Sequence, residues 1–124
     1  MKKLIALAAV AATLALSGNV MAHGSKAKHG GIVQTAGDLS FELVSKDGKT
    51  TIYVDDHGKD LPTTGVTGTL TVLKGAQKTE VPLQPAGGNM LVAKSDVVLA
   101  TGSKAVAAIT FADKNVVRVR FAVK

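Results

Sequence analysis

Three histidines, His23, His29 and His57, are the strongest nitrogen ligands in a chain of 124 residues that has no cysteine. A neutral imidazole binds transition metals such as copper and zinc through either ring nitrogen. Glycines flank His29 on its C-terminal side, so the chain there can fold back on itself. The residue types therefore favour a nitrogen-ligand metal site built from these three side chains.

His23 gains a second donor if a leader is removed after Ala22. The α-amino nitrogen and Nδ1 of His23 can then chelate one ion, because a metal displaces the amine proton at neutral pH. A second imidazole on the same ion completes a histidine brace, an arrangement that suits Cu(II). The alternative is that His23 is a frayed terminus that binds metal only adventitiously.

His57 follows two acids, Asp55 and Asp56, at the end of an extended segment. A neighbouring carboxylate can orient an imidazole and raise its basicity, so these acids are candidate supporting groups or weak ligands. Met90 is a possible thioether ligand for Cu(I) or Ag(I), although its apolar neighbours also fit simple packing. His57 itself can alternatively be an exposed turn residue with solvated acids.

Composition excludes several kinds of function. Without cysteine there are no disulfides, thiolate metal sites, iron–sulfur clusters or cysteine nucleophiles. No serine lies in a nucleophile elbow, no glycine-rich phosphate loop is present, and we expect no enzyme activity. One Tyr and three Phe are too few for stacking on nucleic acid. The net charge of +6, from 15 basic and 9 acidic residues, is spread along the chain and favours solubility.

The first 22 residues are typical of a Sec signal peptide. Lys2 and Lys3 precede an apolar run over residues 4–16 that only Thr13 interrupts, and Ala22 ends a suitable cleavage site. The run is shorter than the roughly 20 residues of a membrane span. We therefore expect a periplasmic mature chain without membrane insertion.

The remaining chain has a β pattern and is rich in valine, isoleucine and threonine. Pro82 favours an edge position for its strand. The spacing predicts an all-β fold: a small antiparallel, immunoglobulin-like β-sandwich of seven or eight short strands, with a small β-barrel as the alternative. Extended segments are expected at 39–43, 51–54, 66–73, 80–83, 90–93, 97–99, 105–111 and 117–123.

Alternation within these segments predicts which side chains form the core. Apolar residues at 39, 41 and 43 alternate with Ser40 and Glu42, and those at 117, 119, 121 and 123 alternate with Arg118 and Arg120. The expected organisation is a signal peptide (1–22), a flexible segment rich in histidine and glycine (23–31) and a single β domain (32–124).

Five segments, taken in order, carry a resemblance to a known family: HGGIV at 29–33, GDLSFELV at 37–44, YVDDHGK at 53–59, TGTLTVL at 67–73 and PAGGN at 85–89. Together they resemble a small periplasmic β-domain at the N-terminus of some heavy-metal RND efflux adaptor proteins, of the cobalt–zinc–cadmium and copper–silver type. The domain also occurs as stand-alone secreted proteins in metal-resistance loci. The resemblance implies metal handling, with His29 and His57 as the matching histidines, and an RND efflux system as the partner.

The sequence thus predicts a protein that captures, buffers or delivers a transition metal. Nitrogen donors without thiolate favour Cu(II), with silver and zinc as alternatives. A second hypothesis is a metal-free β-sandwich that docks onto a metal-efflux assembly. A copper monooxygenase with a His23 brace is a third, which the small size of the domain and its few aromatics disfavour.

Overall fold

The computed structural model describes residues 26–124. The predicted signal peptide and His23 lie outside the described residues. Among residues 26–124 there is no helix that is long and apolar enough to cross a membrane.

The described part of the chain contains nine strands, and short turns join most of them. Their bounds are β1 Ile32–Ala36, β2 Leu39–Lys46, β3 Lys49–Asp56, β4 Lys59–Asp60, β5 Thr67–Lys74, β6 Gln77–Pro85, β7 Met90–Ala93, β8 Lys104–Thr110 and β9 Val116–Ala122. They form one sheet in the order β1-β2-β3-β7-β6-β5-β8-β9, with the two-residue β4 paired to β3. All pairings are antiparallel.

The sheet curls until its two ends, β1 and β9, lie against each other without hydrogen-bonded pairing. Right-handed twist accumulates from strand to strand, so a sheet of this size can bury its inner face against itself. The prediction of a small all-β antiparallel fold is confirmed, and the single, nearly closed sheet fits the barrel alternative.

The core occupies the inner face of this sheet and follows the predicted alternation. Phe41, Leu70, Ile109 and Phe121 are among its fully or almost fully buried members. Burying each such side chain contributes about 1.5–3 kcal/mol, so the inner face carries most of the stability. The remaining buried apolar residues are Leu43, Ile52, Val54, Val66, Val72, Val81, Leu83, Leu91, Val97, Ala105, Ala107 and Val119.

Residues 97–99 do not form the predicted strand. They belong to the irregular connection between β7 and β8, where Val97 is buried and donates its N–H to the carbonyl of Gly48 at 3.0 Å. Here the apolar residues reflect burial against the core, which periodicity in a short run cannot distinguish from strand pairing.

Pro82 lies in β6, which is an interior strand and not the predicted edge. It is paired with Thr69 of β5, and its carbonyl accepts the N–H of Lys94 at 2.9 Å. Lys94 follows the last residue of β7, so Pro82 lies where β6 loses its strand partner on that side. The missing N–H is tolerated because the ladder has just ended there.

Candidate functional site

The candidate site lies on the outer face of β2 and β3. Glu42 is paired with Tyr53, and Ser40 is paired with Asp55. Paired residues of antiparallel strands present their side chains on the same face, so these four side chains form two adjacent rows. The chain before β1 crosses over this face and covers it.

Glu42 fastens the crossing segment to the sheet. Its Oε1 accepts the backbone N–H of Lys28 at 3.1 Å, and its Oε2 accepts those of His29 and Gly31, both at 2.8 Å. The residue is only 6% exposed. A buried carboxylate must be hydrogen-bonded, and this one is satisfied by three backbone donors and one ring.

Two glycines allow the segment to lie this close. Gly30 has a φ of 75°, in the left-handed region that glycine adopts without strain. A Cβ added to Gly31 would lie 2.3 Å from the carbonyl oxygen of Leu43, so no larger residue fits. The two glycines are therefore needed for the segment to lie against Glu42.

The imidazole of His29 is held between Glu42 and Tyr53. Nδ1 lies 3.0 Å from Oε1 of Glu42, and the ring stacks on Tyr53 with centroids 3.6 Å apart and planes 6° apart. Because an ionised carboxylate only accepts, Nδ1 carries the hydrogen in the neutral ring. The second nitrogen, Nε2, then has its lone pair available to a ligand.

The charge state of Glu42 follows from its surroundings. Burial by itself raises the pKa of this carboxyl, but the bonds from the His29 ring and from the N–H groups of Gly31, His29 and Lys28 outweigh burial. The net result is a pKa below the ordinary value of 4.5. Glu42 is therefore an anion at neutral pH and a permanent acceptor for Nδ1 of His29.

Lys28 makes the next contact along the face. Its Nζ lies 3.1 Å from Oδ1 of Asp55 and 3.4 Å from the carbonyl oxygen of Gly58. Oδ2 of Asp55 in turn accepts the N–H of Gly58 at 2.8 Å. These bonds join the segment before β1 to the turn between β3 and β4.

A small cavity of about 20 Å³ lies beside the His29 ring, between the crossing segment and the sheet. Ser40, Tyr53, Asp55 and Asn89 contribute to its walls. About 10–15 Å³ is enough for one water molecule, so the cavity has room for one water or one small ion.

His57 lies in the turn after β3 and is held differently. Its Nδ1 is 2.6 Å from Oδ1 of Asp56, and its side chain is 72% exposed. Asp56 is adjacent to Asp55 in β3, so the two acids point to opposite faces of the sheet. As at His29, the carboxylate places the hydrogen on Nδ1 and leaves Nε2 available.

The structure brings only some of the predicted residues together. His29 and Asp55 line the same cavity. Met90 of β7 is paired with Tyr53 of β3, whose ring stacks on that of His29. Within residues 26–124, no three side chains of His, Cys, Asp or Glu lie close enough to hold one metal ion. The combination of His23, His29 and His57 on one ion stays a prediction.

Glu42, Tyr53 and Lys28 are the site residues that the sequence did not indicate. In the strand pattern Glu42 looks like a solvent-facing position, because it alternates with Phe41 and Leu43. The sequence carries only an indirect indication of the role of Glu42. The His-Gly-Gly segment exposes backbone donors that need an acceptor, and an acid in a neighbouring strand can supply one.

Comparison with protein-family models, curated proteins and solved structures finds no match to this chain. The resemblance to efflux-adaptor domains therefore remains a hypothesis based on the five sequence segments.

Proposed function

We propose that this protein is a periplasmic transition-metal-binding protein that captures Cu(II) through Nε2 of His29. The observation that carries the proposal is the bond between Nδ1 of His29 and the buried carboxylate of Glu42. Histidines that bind metals commonly donate their other ring N–H to a carboxylate, which fixes the tautomer and makes the free nitrogen more basic.

The surroundings of His29 support the same proposal. Stacking on Tyr53 holds the imidazole in one orientation, so little rotational freedom remains to be lost on binding. The cavity beside the ring has a volume suited to one small ion. The side chain of His29 is 39% exposed, which leaves a route for an ion to arrive from solvent.

A useful transition-metal site needs three or four donors. In the proposal His29 supplies the first, and His57, whose Nδ1 is likewise held by a carboxylate, supplies the second. His23 supplies the imidazole and amine that complete the set. Asp55, Asp56 and Met90 are supporting groups or weak ligands.

Copper is proposed as cargo that the protein captures, buffers or delivers. Imidazole and amine nitrogens without thiolate favour Cu(II) by the intrinsic order of affinities, with silver and zinc as alternatives. The periplasmic components of an RND efflux system are the proposed recipients, on the strength of the sequence resemblance.

Calorimetry combined with tyrosine fluorescence tests the proposal directly. Tyr53 is the sole tyrosine and the chain has no tryptophan, so its emission reports on the ring that stacks against His29. We expect one equivalent of Cu(II) to bind and to quench this emission. His29→Ala and His57→Ala should each weaken the affinity at least tenfold, which is about 1.4 kcal/mol.

Glu80→Gln is the matched control, because it removes an exposed carboxylate of β6 that lies outside the site. Its titration should equal that of the parent protein. If the His29→Ala/His57→Ala double variant also titrates with copper like the parent, the assignment is wrong. The metal-free docking module would then be the better hypothesis.

A further inference from the structure

The outer face of β8 and β9 carries a line of three cations. In the register of the two strands, Arg118 is paired with Ala108, Arg120 with Val106, and Lys104 with Ala122. These pairs are consecutive rows on one face, because they are two residues apart. Adjacent rows are separated by about 7 Å along the strands.

These three cations have no ion-pair partner among residues 26–124. The residues paired directly with them are uncharged: Ala108 and Val106 for the two arginines, and Ala122 and Leu73 for Lys104. The acid that shares a row with Arg120 is Glu80, which lies beyond β8 and β5 in β6. Three strand spacings separate them, or about 14 Å, so Glu80 does not neutralise Arg120.

A groove of about 380 Å³ runs beside this line. Lys104 and Arg120 contribute its charged walls, while Leu73 and Val106 contribute apolar surface. The groove lies next to β9, which has a hydrogen-bonded strand partner only on its β8 side in the described chain. The surface therefore combines concave shape, aliphatic floor and spaced positive charge.

From this arrangement we propose that the face formed by Lys104, Arg118 and Arg120 binds an extended acidic segment of a partner protein. Side chains two residues apart in an extended peptide lie on one side, about 7 Å apart. Carboxylates at alternate positions of the segment match the rows of cations one to one. Arginine suits this role because its planar guanidinium binds a carboxylate through two parallel hydrogen bonds.

The charge and shape of the face favour this occupant over two others. A second copy of the chain carries the same net positive charge, which is +6 for the full sequence and +4 without Lys2 and Lys3 of the expected signal peptide, and is repelled. A lipid surface takes up apolar groups that project outward, whereas Leu73 and Val106 line the groove. Of the other exposed large apolar residues in the described chain, just Val116 at the start of β9 projects from this face beside the cations. The proposal is independent of metal binding, so its test is carried out with EDTA present.

The test uses fluorescence anisotropy with a labelled heptapeptide of alternating glutamate and threonine. We expect the parent protein to bind it, with affinity falling as salt rises, and to bind a block peptide of the same composition more weakly. The glutamine version should not bind. Arg118→Gln/Arg120→Gln should weaken binding at least tenfold, and Lys104→Gln alone about threefold.

Lys59→Gln/Lys94→Gln is the matched control, since it removes two exposed lysines that lie outside β8 and β9. It should change the affinity less than twofold, and far-ultraviolet circular dichroism should show that all variants are folded. The proposal is overturned if this control weakens binding as much as the arginine pair does. It is also overturned if the peptide does not bind at low salt, including the case in which only phosphatidylglycerol vesicles bind.

Discussion

At the scale of single residues, Glu42 determines the geometry of the candidate site. Its carboxylate accepts hydrogen bonds from Nδ1–H of His29 and from three backbone N–H groups of the segment before β1. One side chain therefore both orients the proposed ligand and fastens the chain that carries it. Hydrogen bonds to a charged group are stronger than those between neutral groups, so the four bonds to this carboxylate contribute to the stability of the fold.

Glu42→Gln tests that role. The amide keeps one acceptor oxygen, but its NH₂ group faces N–H donors that it cannot accept from. Some of the hydrogen bonds to residue 42 are therefore lost at a buried position. We expect the free energy of unfolding to fall by about 1–3 kcal/mol. Urea denaturation followed by circular dichroism measures this change, and the emission of Tyr53 should shift as the stack with His29 loosens. An unchanged midpoint together with unchanged emission would contradict the role of Glu42.

Two buried threonines differ in whether their hydroxyl group is hydrogen-bonded. Thr50 is 2% exposed, and its Oγ1 has no hydrogen-bond partner in the described part of the chain. Thr63 is 1% exposed, and its Oγ1 donates to the carbonyl of Met90 at 2.8 Å. An unsatisfied buried hydroxyl costs free energy, whereas a satisfied one contributes.

We therefore predict that Thr50→Val raises the free energy of unfolding by about 1 kcal/mol and that Thr63→Val lowers it by about 1 kcal/mol. The two substitutions replace the same group in equally buried places and act as controls for each other. Thermal unfolding followed by circular dichroism measures both. Loss of stability in both variants would show that the hydroxyl of Thr50 is satisfied.

At the scale of elements, the segment over residues 28–31 is attached to β2 through an ionised carboxylate. The folded pKa of Glu42 is lowered, so its contribution to stability is complete above the ordinary pKa of 4.5. That contribution is lost as the pH falls through the lowered pKa, because protonation removes the negative charge and turns one of the two acceptor oxygens into a donor. Attachment of the segment must therefore weaken in acid.

We predict a transition in the emission of Tyr53 below pH 4.5 that precedes global unfolding. The cause is separation of the His29 ring from Tyr53 when the Glu42 carboxyl becomes protonated. Fluorescence and circular dichroism recorded on the same acid titration separate the local event from the global one. The Glu42→Gln variant should lack the local step, and a step that persists in it would assign the transition to another group.

At the scale of the whole molecule, the fold carries its own apolar core, and we therefore expect it to form without metal. The inner face of the sheet buries residues from seven strands, among them Phe41, Leu70 and Phe121. A ligand that binds only the native state adds to this stability without creating it. Copper should thus behave as a stabiliser.

We predict that the protein treated with EDTA keeps its β-sheet circular dichroism and unfolds cooperatively. Added copper at a hundredfold excess over its dissociation constant should raise the stability by about 2.7 kcal/mol. Urea denaturation with and without the metal measures the difference. A chelated protein without β-sheet signal would show instead that the metal is required for folding.

The sequence by itself determined the local features of this protein. Alternation placed Phe41, Leu43, Val119 and Phe121 on the buried face. The reason is local, because side chains two residues apart in a strand point to the same face of the sheet. Most of the extended segments expected from the sequence coincide with observed strands. The sequence also identified His29 and His57, since their type alone makes them ligand candidates.

Only the tertiary structure decided what covers the outer face of β2 and β3. Glu42 and Tyr53 acquired their roles when the segment before β1 crossed over them, a contact between residues that lie 11 to 14 positions apart in the case of Glu42. The curl of the sheet, the interior position of β6 and the core contact of Val97 likewise depend on which strands become neighbours. Strand order is set by the packing of the whole chain, and local periodicity carries no information about it.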